Sequence, residues 1–119
     1  MPYPSPGARV VQSAWPETVT ITEWQDATAA GDVRPARDSA LAWCRIIGPT
    51  ACCVLLWCAT ALDAAPSLEL PTSGLARIFG VKPQVLLRAF HRLVRYGMAE
   101  PAGSGWRIRT TIPASPHAR

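Results

Sequence analysis

The chain has 119 residues, of which 49% are hydrophobic, and it carries a formal net charge of +4. This length argues for one domain, and the hydrophobic fraction is sufficient for a packed core, which excludes a chain that is disordered throughout. The proline-rich residues 1–7 lack the apolar segment of a secretory leader. We therefore expect a cytoplasmic protein whose cysteines are reduced.

Positive charge is concentrated in the C-terminal part of the chain. Residues 1–73 have a net charge of −3, whereas residues 74–119 have a net charge of +7. A surface with charge of one sign attracts polyanions, and this attraction weakens as salt is added. The asymmetry therefore favours a nucleic-acid partner over a surface that only keeps the protein soluble.

The N-terminal residues 1–34 are predicted to form a partly disordered arm. Within it, the alternation of Thr with Val19 and Ile21 predicts a short strand over residues 18–24. The same residues are also consistent with an extended arm that packs on the body of the protein.

Two helices are predicted next, over residues 36–47 and 49–64. Pro49 suits the first turn of the second helix, and Pro66 ends it. The second helix is apolar almost all round, which is typical of a helix at the centre of a domain or in a subunit interface. The two helices are therefore the candidate surface for a homodimer. The uncharged residues 46–62 reach only the lower limit of a membrane span, and we expect no membrane association.

A short helix, a tight turn and a longer helix are predicted over residues 72–96. The first helix covers residues 72–79, Gly80 provides the turn, and Gly97 ends the second helix. At about 100° per residue, one side of the second helix is apolar. This side consists of Leu86, Ala89, Phe90, Leu93 and Val94. The opposite side has no acid and consists of Gln84, Arg88, His91, Arg92 and Arg95.

A hairpin is predicted over residues 98–112, with its turn at residues 102–105. In the return strand, Trp106 is expected to pack beneath the hairpin, while Arg107 and Arg109 point to the other face. Residues 113–119 are expected to form a flexible tail.

A pattern of apolar residues and glycines spans the two helices that precede the hairpin. It consists of Leu75, Ala76, Phe79, Gly80, Val81, Val85, Leu86, Ala89, Leu93, Tyr96 and Gly97. Together with the hairpin, this pattern resembles the winged helix-turn-helix proteins, which include small bacterial and phage transcription regulators. The resemblance implies an α+β fold, mainly α, with a winged helix-turn-helix domain over residues 35–112, an extra N-terminal helix and an extended arm. Lys82 departs from the pattern, because many relatives have Ser or Thr there as a helix cap. We expect this cap to be missing or replaced by Pro83.

The resemblance also implies a mode of binding. The recognition helix, residues 82–96, would enter the major groove of double-stranded DNA, with the wing, residues 98–112, beside it. Gln84 and Arg88 would contact bases, because their side chains match the hydrogen-bonding edges of adenine and guanine. The other candidates would contact phosphates or, from the wing, the minor groove: Arg77, Lys82, His91, Arg92, Arg95, Arg107 and Arg109. We therefore expect sequence-specific DNA binding by a transcription regulator that needs no cofactor.

Two alternatives stay open. A winged helix can serve as a protein–protein interaction module within a larger assembly. The chain can also be a thiol- or metal-responsive repressor, because Cys44 and Cys52 can approach one another across the corner at residues 48–49. The cysteines have no ligand-like spacing with His or acids, so packing is the favoured interpretation of Cys44, Cys52, Cys53 and Cys58, and no metal site is predicted. The sequence contains no catalytic motif, and we expect no enzymatic activity.

Overall fold

The computed structural model describes residues 16–24 and 29–116. Its elements in chain order are β1 (Thr18–Glu23), α1 (Arg37–Ile47), α2 (Pro49–Ala64), β2 (Ser67–Pro71), α3 (Thr72–Ile78), α4 (Pro83–Arg95), β3 (Ala99–Ala102) and β4 (Gly105–Ile108). Within these residues, four helices and a four-stranded mixed sheet form one compact α+β fold. The predicted disorder of residues 1–7 and the end of the predicted tail, residues 117–119, lie outside the described residues.

The N-terminal strand β1 lies in the interior of the sheet. The strand order is β2-β1-β4-β3, in which β1 is antiparallel to β2 and parallel to β4. Ile21 is paired with Leu68 of β2 on one side and with Trp106 of β4 on the other. Of the two interpretations of residues 18–24, the strand is therefore confirmed.

β2 is a strand that the sequence pattern does not predict. Leu68 and Leu70 are half-buried and alternate with exposed polar residues along this strand. The strand has five residues and lies between Pro66 and Thr72, so its alternation is too short to be distinguished from a loop. Its strand character comes from the pairing with β1, which is distant in sequence.

β1 and β4 approach each other closely at Gly105. A Cβ atom on this residue would lie 1.7 Å from the carbonyl oxygen of Thr20. A side chain at this position would therefore push the two strands apart, and glycine allows the backbones to meet.

α2 is buried on one side only. Its buried residues are Ala51, Cys52, Val54, Leu55, Cys58, Ala59 and Leu62. Cys53 and Thr60 are exposed on the other side, so the expectation of a helix at the centre of the domain holds for one side only. In the part of the chain that is described, no helix has both the length and the apolar character needed to cross a bilayer.

α3 and α4 are joined by the predicted tight turn. Gly80 has a φ of +66°, and the N–H of Val81 donates a hydrogen bond of 3.1 Å to the carbonyl oxygen of Ala76. Lys82 is extended and Pro83 is the first residue of α4; among the described residues, no side chain caps this end of the helix. The missing cap expected at Lys82 is confirmed.

α4 is joined to the hairpin through an aromatic pair. The rings of Phe90 and Trp106 are stacked, with centroids 4.2 Å apart and planes 5° apart. Both residues belong to the core, so Trp106 packs beneath the hairpin as expected.

The packed body continues past the predicted end of the domain at Ile112. Pro113 is buried, and its carbonyl oxygen accepts a hydrogen bond of 2.8 Å from Nε1 of Trp43. The return strand is shorter than predicted, because β4 ends at Ile108 and Ile112 forms an isolated bridge with Val33. After β4 the chain therefore packs against the segment that precedes α1.

Candidate nucleic-acid interface

α4 presents a polar and basic face to solvent. Gln84, Arg88, His91, Arg92 and Arg95 are all exposed on this helix. We call these residues the basic face. Burial of the apolar side of the helix fixes their outward orientation, since Leu86, Ala89, Phe90 and Leu93 are in the core. Residues 83–95 contain no acid, so nothing within the helix offsets the arginine charges.

Two further predicted site residues flank the turn before α4. Arg77 is exposed in the last turn of α3, and Lys82 is exposed directly before Pro83. Their charges add to the partial positive charge that the first N–H groups of a helix provide.

A cleft of about 270 Å³ opens between α4 and the corner that joins α1 to α2. It is lined by Ile47, Gly48, Pro49, Thr50, Ala51, Val85, Arg88, Ala89 and Arg92. Nη1 of Arg92 donates a hydrogen bond of 3.4 Å to the carbonyl oxygen of Ile47 and so holds this side chain at the cleft. α2 begins here, and the positive end of its dipole adds to the two guanidinium charges. We call this feature the basic cleft.

Arg107 is exposed on the hairpin but is not an isolated charge. It lies opposite Glu100 in the pairing of β3 with β4, and its Nη1 is 3.0 Å from Oε2 of Glu100. The side chain of Arg107 is 47% exposed, so it stays accessible to a ligand. Its attraction for a polyanion is reduced by the neighbouring carboxylate.

Arg109 is not on this surface, which corrects the prediction that it lies beside Arg107 on the wing. Its side chain is 8% exposed and forms an ion pair with Asp32, whose side chain is 2% exposed. Nη1 of Arg109 also donates to the carbonyl oxygen of Gly97 at 3.5 Å. Arg109 therefore joins the end of the hairpin to the segment before α1, and a DNA contact is not available to it.

The error at Arg109 has a physical reason. The prediction assumes that side chains alternate between the two faces of a strand as far as Ile112. β4 ends at Ile108, so the alternation does not apply to Arg109. Thr110 is buried as well, and its hydroxyl donates to the carboxylate of Glu23 at 2.8 Å. Both acidic partners, Asp32 and Glu23, lie far away in the sequence, and no local pattern identifies them.

Cys44 and Cys52 are in contact across the corner between α1 and α2, as the sequence analysis considered. The thiol of Cys44 lies beside that of Cys52, whose Sγ donates a hydrogen bond of 3.3 Å to the carbonyl oxygen of Ala40, one turn before Cys44 on α1. Burial, followed by the neighbouring Cys44 and Cys53, raises the pKa of Cys52 to about 11. Burial raises the pKa of Cys58 to about 12. All four thiols are free, and the described residues include no cluster of three or more His, Cys, Asp or Glu that would hold a metal ion.

Apolar side chains are exposed on α1 and at the end of α3, among them Leu41, Ile46 and Ile78. Leu41 of α1 is 64% exposed, and Ile78 at the end of α3 is 49% exposed. Ile78 lies in a shallow groove of about 350 Å³ with Pro49, Thr50, Cys53 and Phe79. α1 and the end of α3 therefore expose apolar side chains, which the basic face lacks.

Comparisons of the chain with models of protein families, with curated proteins and with solved structures found no match.

Proposed function

We propose that this chain is a cytoplasmic transcription regulator that binds double-stranded DNA in the manner of a winged helix-turn-helix protein. The observation that carries the proposal is the exposed, acid-free basic face of α4, which follows a tight turn and precedes a hairpin. A helix of this kind can lie in the major groove while its arginines reach bases and phosphates.

The residues of the basic face would contact different parts of the DNA, depending on their position along α4. Gln84 and Arg88 lie in the N-terminal half of α4 and would contact base edges. Arg92, held at the basic cleft, and Arg95, in the last turn, would contact phosphates together with His91. Arg77 and Lys82 would contact the backbone near the start of the helix, and Arg107 would contact it from the hairpin.

Salt dependence provides the test of the proposal. The affinity of the full chain for a random duplex should fall steeply with salt, each neutralised phosphate contributing about −0.9 to the slope of log affinity against log salt. Fluorescence anisotropy with labelled duplex measures this slope. Absence of binding at low salt would refute the proposal.

Arg34 supplies a matched control for charge. It is exposed and paired with Asp63 near the end of α2, whereas the basic cleft is at the start of this helix, about 21 Å away along its axis. Arg34→Ala removes the same charge as Arg95→Ala but leaves α4 untouched. Arg95→Ala should reduce the salt slope by about 1, and Arg34→Ala should leave the slope unchanged.

A second candidate function is a protein–protein interaction module, which the exposed Leu41 and Ile78 favour. For a DNA-binding regulator, the same apolar sides of α1 and α2 would form a homodimer that reads two half-sites about one helical turn apart. The two functions are separated by measuring the oligomeric state by sedimentation, and the affinity for duplex DNA, for the wild type and for Leu41→Glu. Loss of a dimer together with weaker DNA binding supports the regulator, whereas a monomer that never binds duplex supports the module.

A further inference from the structure

The contact between Cys44 and Cys52 brings together two thiols that belong to different helices. Ala40 and Cys44 lie one turn apart on α1, and Sγ of Cys52 donates a hydrogen bond of 3.3 Å to the carbonyl oxygen of Ala40, which places it beside Cys44. Because Cys52 Sγ is anchored on α1 at Ala40, the thiol one turn further along this helix, that of Cys44, is the one it can approach to the covalent distance of about 2.05 Å.

We propose that Cys44 and Cys52 are a modification site at which a hydroperoxide forms a reversible intramolecular disulfide. In the first step the sulfur of Cys44 attacks the peroxide O–O bond, giving a sulfenic acid at Cys44 and releasing the alcohol or water. In the second step the thiol of Cys52 attacks this sulfenic acid, the S–S bond forms, and the hydroxyl group leaves with the thiol proton as water. The two thiols together lose two electrons, and the peroxide gains them.

The surroundings of the two sulfurs support this order of steps. Cys44 is half-buried and can be reached by a hydroperoxide from solvent, whereas Cys52 is buried and can be reached only from Cys44. Reaction therefore starts at Cys44, and Cys52 acts on it from within the core.

The other two cysteines are poorer partners for Cys44. Cys53 follows Cys52 by about 100° around α2 and is exposed on its outer side. Cys58 is buried about 9 Å further along the same helix. The bridge between Cys44 and Cys52 would close a loop that contains residues 47–51, which form one wall of the basic cleft. The chemistry of the bridge does not depend on whether the cleft binds DNA.

Peptide mapping of the full chain tests the proposal. Trypsin cleaves after Arg37, Arg45 and Arg77, so Cys44 lies in the peptide 38–45 and the other three cysteines lie in the peptide 46–77. After treatment with hydrogen peroxide and blocking of free thiols, mass spectrometry should find these two peptides linked, and dithiothreitol should separate them. The intact protein should be a monomer that has lost two hydrogen atoms.

Variants identify the partner of Cys44. The link should disappear in Cys52→Ala and persist in Cys53→Ser and in the double variant Cys53→Ser/Cys58→Ala, with folding of each checked by circular dichroism. If Cys52→Ala does not fold, the double variant decides alone, because it leaves Cys52 as the sole partner in the peptide 46–77. A link that needs Cys53, a link only between two chains, or oxygen added to Cys44 without a link would overturn the proposal.

Discussion

Asp32 and Arg109 form a buried ion pair that joins the segment before α1 to the chain just after the hairpin. The carboxylate of Asp32 also accepts a hydrogen bond of 3.0 Å from the backbone N–H of Ala29, which closes a turn in this segment. Nε of Arg109 has no hydrogen-bond partner among the described residues. The buried charge of the guanidinium group is therefore compensated mainly by the Asp32 carboxylate.

Replacement of Arg109 by alanine should destabilise the protein by about 3–5 kcal/mol, because it leaves the Asp32 carboxylate buried without its partner. The exposed Arg107 is the control, and Arg107→Ala should cost less than about 1 kcal/mol because its pair with Glu100 is solvated. Urea unfolding followed by circular dichroism measures both. Equal losses for the two variants would show that the buried pair has no special role.

Gly105→Ala should destabilise the fold by more than about 2 kcal/mol, because the new methyl group meets the Thr20 carbonyl oxygen and β1 must move away from β4. Gly74 of α3 is the control: an alanine there makes only ordinary contacts with Pro71 and should be neutral or stabilise by up to about 1 kcal/mol. The unfolding midpoints of the two variants give the comparison. A Gly105→Ala protein as stable as the wild type would contradict the position of β1.

Glu100→Gln should strengthen binding to random duplex DNA and steepen its salt dependence, because the charge of Arg107 is then no longer offset. Glu69→Gln removes the same charge from β2, at the opposite edge of the sheet, and serves as the control. Anisotropy titrations at several salt concentrations measure the effect. The same gain from both variants would indicate a response to net charge alone and would remove the hairpin from the interface.

Stability should fall as the pH rises from about 9 towards 12. The pKa values of Cys52 and Cys58 are raised in the folded protein to about 11 and about 12, from 9.0. The unfolded chain therefore releases these thiol protons first, and the stabilisation present below pH 9 is lost through this range. The free energy of unfolding measured at several pH values should decline less steeply in Cys58→Ala than in the wild type. Parallel slopes would contradict the burial of this thiol.

The sequence was most informative where structure depends on neighbouring residues. The apolar side of α4, the turn at Gly80 and the missing cap at Lys82 follow from local periodicity and backbone chemistry, and the structure has all three. The interior position of β1 does not follow, because its partners in β2 and β4 lie far along the chain and strand pairing over such separations leaves no local pattern.

In the candidate site, too, some placements follow from neighbouring residues and others depend on residues that are distant in sequence. The exposure of Arg88, Arg92 and Arg95 follows from the helical period of α4. The burial of Arg109 depends on where β4 ends and on a distant acid, Asp32, so it was predicted incorrectly. The contact of Arg92 with the corner between α1 and α2 was also not predictable, since it depends on how two helices pack.

The triple variant Arg88→Ala/Arg92→Ala/Arg95→Ala removes the three arginines with which the basic face of α4 would bind duplex DNA. These side chains are exposed, so the variant should fold like the wild type, and Arg34→Ala remains the control for charge. Anisotropy with random duplex at low salt should show binding by the wild type and by Arg34→Ala, and a loss of at least about 1000-fold in the triple variant, since each charge-assisted contact contributes about 1.5–3 kcal/mol. Unchanged affinity in the folded triple variant would contradict the proposed interface.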